Sequence, residues 1–211
     1  KVMERLGQEG SHPEGRFFPD TYSFTRGVAD LELLQRAHSR LETVLAEEWQ
    51  QRSEGLPYQD AYEALIMASI IEKETGVPSE RGEIAGVFVR RLEQGMMLQT
   101  DPTVIYGMGE EYKGRITRSD LRRPTPYNTY TISGLPPTPI AMVGREAIHA
   151  ALHPVEGKSL YFVARGDGSH VFSNSLSEHN RAVREYQLKR RSDYRSSPPP
   201  RQSPAPIENA Q

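Results

Sequence analysis

The 211-residue chain contains no cysteine, which excludes disulfides, thiolate nucleophiles and cysteine-ligated metals while leaving the compartment open. A basic excess is missing too. Lys and Arg total 26 against 28 Asp and Glu, a formal charge of -2, so nucleic acid is not an expected partner. No apolar run is long enough to cross a membrane. Also absent are a G-x-G-x-x-G turn, a P-loop, the G-x-S-x-G of a serine nucleophile, βαβ alternation and any internal repeat. Of the six histidines, only His149 and His153 stand four apart. Ala150 occupies the place a zinc-protease glutamate would take, and Pro154 stops the helix, so no metal site is expected. The apolar fraction of 36% is low, and 16 prolines with a polar C-terminus account for much of that.

What is present is mostly helical pattern. Leu34, Ala37, Leu41, Val44, Leu45 and Trp49 recur at three- and four-residue steps and predict an amphipathic helix over Ala29–Arg52. Asp60 with Glu63 predicts the start of a second helix, and Gly76 with Pro78 its stop. Ser79 is the expected cap of a third, running to about Gln94 with Ile84, Val87, Phe88 and Leu92 inward. Thr100-Asp101-Pro102 breaks an apolar segment, and the residue before a proline is expected to be extended or in a turn. The segment Pro13–Phe24 predicts a buried aromatic anchor, with Glu14, Asp20 or Tyr22 as alternative cleft residues. One helical turn is expected from Thr117, a long irregular segment over Pro124–Pro139, and a short helix over Arg145–Leu152. Leu160–Ala164 and His170–Ser173, joined by Arg165-Gly166-Asp167-Gly168-Ser169, predict a β-hairpin. Ser175 or Ser177 then caps a final helix to about Lys189. The expected class is α+β with helices dominant, a domain over residues 1–190, and a disordered Pro-rich tail over 191–211.

The stretch Ala61–Gly76 holds a conflict. Ala64–Ile71 is almost unbroken apolar sequence, the mark of a helix buried on most sides. It ends in Glu72-Lys73-Glu74-Thr75, and carboxylates at the end of a core helix are costly unless paired or placed in a cleft. Burial would raise such a glutamate's pKa and fit it for general-acid work, typically on a glycosidic oxygen. The alternative, a surface glutamate paired with Lys73 or Arg81, stays open on spacing alone. Glu72 and Glu74 lie about 200° apart around a helix and are not expected to share one cleft; Glu74 borders the loop, and Glu72 is the expected support.

IMASIIEKETGVPSERGEIAGVFVRRLEQGMMLQTDPTVIYGMG resembles the core of the MltG (YceG-like) family of endolytic murein transglycosylases. EGRFFPDTYSF, TPYNTYTISGLPPTPIA and LYFVA with HVFS resemble its other blocks, in the family's order, over roughly Glu14–Leu188. The resemblance implies a lysozyme-like catalytic core. It implies lytic cleavage of the β-1,4 bond between N-acetylmuramic acid and N-acetylglucosamine, leaving a 1,6-anhydro end, with no cofactor. Glu74 maps to the catalytic glutamate, acting as acid and then base, with Thr75 as the hydroxyl residue that helps orient it and Glu72 as helper. Gln99, Thr100 and Asp101 would line the cleft. Tyr127, Asn128 and Tyr130 would bind sugar N-acetyl groups or the transition state, or else hold their own loop by hydrogen bonds. The family's N-terminal membrane helix and LysM-like region are not in this chain, which reads as a fragment. The whole protein is expected in the inner membrane as a single-pass protein with this domain in the periplasm. Its expected partners are glycan strands and penicillin-binding protein synthases. A lysozyme-type hydrolase and a non-catalytic glycan-binding or cell-wall-assembly module are the alternatives.

Overall fold

The computed structural model describes residues 2–188; the tail expected over 191–211 lies outside them. The chain is α+β and helix-dominated. After a single turn, α1 (Val2–Arg5), come α2 (Asp30–Gln50), α3 (Ala61–Glu74), α4 (Arg81–Glu93), α5 (Asp101–Met108) and α6 (Arg145–Leu152). The antiparallel strands β1 (Tyr161–Ala164) and β2 (His170–Ser173) follow, then α7 (Leu176–Val183). None of the described helices is long and apolar enough to cross a membrane.

The centre is α3, which touches α2, α4, α5 and α6. Every residue from Ala64 to Ile71 is buried. Such all-round burial is what an apolar helix without a polar face requires. Its start follows the cap rule. Asp60 Oδ1 accepts the Glu63 amide at 3.0 Å, and Glu63 reaches back to the Gln59 amide at 2.7 Å. The one polar group inside, Ser69, is satisfied on both sides. Its hydroxyl donates to the Ile66 carbonyl and accepts the Ile140 amide, which pins the proline-rich segment to the core helix. On α2, Ala37, Leu41, Val44 and Leu45 face inward as the periodicity predicts, whereas Leu34 lies exposed.

Several local expectations are corrected. Asp101 is not extended: it is the first residue of α5, with Pro102 in the first turn, where a missing N–H leaves no bond unmade. Ser79 caps nothing; it lies inside a 3-10 turn, Pro78–Glu80, that leads into α4. Thr117 precedes rather than starts its turn, exchanging hydrogen bonds with Asp120 ahead of Asp120–Arg122. In the aromatic segment Phe18 packs on the core, but Phe24 is exposed. The final helix is capped by Ser175 with a full capping box and passes at Arg184 into a π turn ending at Leu188.

The hairpin pairs Tyr161 with Ser173 and Ala164 with His170. Phe162 anchors it to α4 by an edge-on contact with Phe88, ring centroids 5.6 Å apart. Arg90 and Arg91 of α4 add side-chain bonds to the Ser159 and Leu160 carbonyls.

Candidate active site

The last turn of α3 emerges from the core into an open cleft of about 860 Å³. One wall is the Gln99-Thr100-Asp101 segment at the start of α5; facing it are β1 and α7, through Tyr161, Phe162 and His179. Glu74 lies where these meet. Protein encloses its carboxyl while the residue keeps a partly open side. Burial is the main cause that lifts its pKa, to about 7, and the charge of Asp101 adds to it. The Thr100 hydroxyl, donating to Glu74 Oε1, pulls the other way. A carboxyl poised near neutrality can both give and take a proton.

Glu72 and Glu74 line the same cleft, contrary to the helical-wheel expectation. The cleft wraps around the exposed end of α3, so side chains on different faces of its last turn both reach it. Glu72 is loosely held, by the Gly144 amide at 3.4 Å and by Arg81 at 4.0 Å. Thr75 ends α3 with an extended backbone, and its hydroxyl is occupied elsewhere. It donates to Glu80 Oε2 and accepts the Val77 amide. The hydroxyl that touches the acid is Thr100, not Thr75.

Gln99, Thr100, Asp101 and Tyr130 are all brought to the cleft. Gln99 takes a left-handed backbone with φ of 54°, rare for a residue with a Cβ. That turn lets its amide reach the Thr129 carbonyl while its side chain accepts from Arg91. The Tyr130 hydroxyl donates to Asp101 Oδ1 at 2.7 Å. Burial, with Asp101 beside it, holds the Tyr130 phenol protonated.

Tyr127 and Asn128 are not cleft residues. The Tyr127 hydroxyl pairs with Thr138 and its ring packs on Tyr106. Asn128 is buried; its amide nitrogen serves the carbonyls of Asp120, Leu121 and Arg123, and its oxygen takes the Tyr130 amide. With every polar group engaged, it has nothing left for a sugar.

The YceG-like family model matches residues 1–185. The chain belongs to the YceG-like family. A Bacillus subtilis protein named endolytic murein transglycosylase is 40% identical over 181 residues, covering 83% of this chain and 48% of that protein. A Streptococcus pneumoniae protein of the same name is 30% identical over 179 residues, 82% of this chain and 32% of that one. The crystal structure of a yceG-like protein from Listeria monocytogenes is 34% identical with a TM-score of 0.72, over 85% of this chain and 62% of that one. The chain therefore spans half or less of the length of these curated relatives.

Sequence reading of this YceG-like chain missed the residues that hold the site. Thr129, skipped between two nominated neighbours, is wholly buried. Its hydroxyl accepts the Thr100 amide at 3.0 Å and pairs with Thr103 at 2.9 Å. Glu80 bonds both the amide and Nδ1 of His170, each at 2.8 Å, and so ties the hairpin to the turn after Glu74. No local signal pointed to these residues, since their partners lie 29 and 90 positions away. Among the described residues, Glu48, His149 and His153 form the one group with metal-ligand reach. It lies off the cleft, and Glu48 already pairs with Arg145 and His149.

Proposed function

We propose that this chain is the catalytic part of a murein lytic transglycosylase. The observation that carries the reading is Glu74: one carboxyl, titrating near 7, held by Thr100 at the floor of an open cleft. Protonated Glu74 gives its proton to the glycosidic oxygen as the bond to the muramic acid C1 breaks, releasing the neighbouring sugar with a free 4-hydroxyl. The resulting carboxylate then takes the proton of the C6 hydroxyl, whose oxygen closes on C1. The product is a 1,6-anhydro end, no water is consumed, and Glu74 regains its proton. The relatives named endolytic murein transglycosylase support this substrate. The open cleft suits a strand bound in mid-chain.

A murein substrate puts the domain outside the cytoplasmic membrane. Single-pass anchoring in the inner membrane with the domain in the periplasm, and work beside penicillin-binding synthases as a terminator of nascent strands, belong to the same reading. Asp101, positioned by Tyr130 and close enough to raise the Glu74 pKa, gives the hydrolase alternative a second carboxylate to activate water. Mass spectrometry of digested glycan strands decides between them. Anhydro ends that vanish in Glu74→Gln are expected; hydrated reducing ends would establish a hydrolase. Glycan turnover unaffected by Glu74→Gln would point to a non-catalytic module.

A further inference from the structure

We propose that the Arg81 guanidinium is a carboxylate-binding subsite of the cleft, taking the anionic group carried by the lactyl side arm of muramic acid. The inference rests on the murein reading above and adds to it the part of the polymer that is read.

Two arginines line the cleft, and they are unlike. Arg91 is built in: its Nε donates to the Met97 carbonyl at 2.9 Å, Nη1 to the Leu160 carbonyl at 3.0 Å, and Nη2 to Gln99 Oε1 at 2.7 Å. Each nitrogen of its fork has an acceptor. Arg81, the first residue of α4, has none within hydrogen-bond distance. Its nearest acid is Glu72, with Oε1 4.0 Å from Nη2. Its side chain is only 16% exposed, and its Nε is sealed from water with no partner. A buried Nε without a partner is uncommon, because buried donors are normally paired. Its five N–H groups form a planar fork that matches a carboxylate in two-point contact. A small swing would bring the fork onto such a group.

The surroundings favour an anion. Lys73 lines the cleft as a further, exposed cation beside Arg81 and Arg91, against the carboxylates of Glu72 and Asp101. Glu74, lifted toward 7, adds little negative charge in mildly acidic solution. The hydroxyl and acetamide groups of a murein strand are neutral. Carboxylates occur on the lactyl arm when the peptide stem has been removed, or along the stem when it is present. The two sources share one chemistry and are separated by the substrate supplied.

The experiment compares the chain with Arg81→Gln and Arg81→Lys variants on three strand preparations: stem-bearing, stem-stripped with free lactyl carboxylates, and stripped strands with those carboxylates converted to amides. Arg81→Gln should raise KM about tenfold on a carboxylate-bearing preparation with kcat little changed. It should have no effect on the amidated strands, and Arg81→Lys should recover part of the loss. Glu72→Gln should lower KM, since it removes the competing acid. Whichever of the first two preparations shows the effect identifies the source. An equal loss on all three, or no loss on any, overturns the proposal. Binding to the same strands is read by calorimetry. Absence of cleavage then counts against the lytic reading alone, while an Arg81→Gln variant that still binds carboxylate-bearing strands more tightly than amidated ones counts against the subsite.

Discussion

The Thr100 hydroxyl donates to Glu74 Oε1 across 26 residues of sequence. This bond joins the end of the core helix to the first turn of α5 and sets the charge of the acid. Burial pushes Glu74 toward the neutral form and Thr100 steadies the carboxylate, and the balance falls at about 7. Without the hydroxyl the group would hold its proton more tightly.

Thr100→Val keeps the shape of the side chain and removes the donor. The apparent pKa of the alkaline limb of the rate profile, about 7 in the parent chain, should move upward. The rate at the optimum should fall by about tenfold, since the carboxyl loses its orienting bond. A pH series of kcat/KM checks this; an unmoved limb would mean that Thr100 does not bear on the acid.

Glu74 should also make stability depend on pH. Its pKa rises from 4.5 in the free side chain to about 7 in the fold, so between these values the folded state binds the extra proton. Its contribution is intact below about pH 4.5 and is lost as pH rises through about 7, amounting to about 3 kcal/mol at most. Glu74→Gln carries no such proton. Thermal melts of the two proteins from about pH 5 to pH 8 should show the parent losing ground to the variant as pH rises. Parallel melting curves would contradict the raised pKa.

Asn128→Ala should damage the fold rather than substrate recognition. It removes the buried side chain that serves three backbone carbonyls and the Tyr130 amide, at a cost on the order of 2–4 kcal/mol. Denaturant unfolding should record that loss, while KM of the folded fraction stays near the parent value. A raised KM with unchanged stability would return Asn128 to a sugar-binding role.

Local chemistry was legible in the residues. The Asp60–Glu63 start of α3, its stop before Gly76, the helix over Arg145–Leu152 and the strands around Gly166 and Gly168 all follow from signals within a few positions of each other. Local rules also misled. The proline rule placed Asp101 in an extended turn, but Pro102 in the first turn of α5 meets no competing bond there. The helical wheel separated Glu72 from Glu74, because it describes a continuing cylinder and the cleft wraps around a helix end.

That a core helix ends in carboxylates follows from the residues alone, and the longer blocks carried the resemblance to the YceG-like family. Packing between distant segments set which hydroxyl meets the acid, that Asn128 serves backbone carbonyls, and that Arg91 is bonded at each nitrogen while Arg81 Nε has no partner. Capping and turn preferences act over three or four residues. Thr100 meets Glu74 across 26 positions and His170 meets Glu80 across 90, so those contacts are set by how whole helices pack.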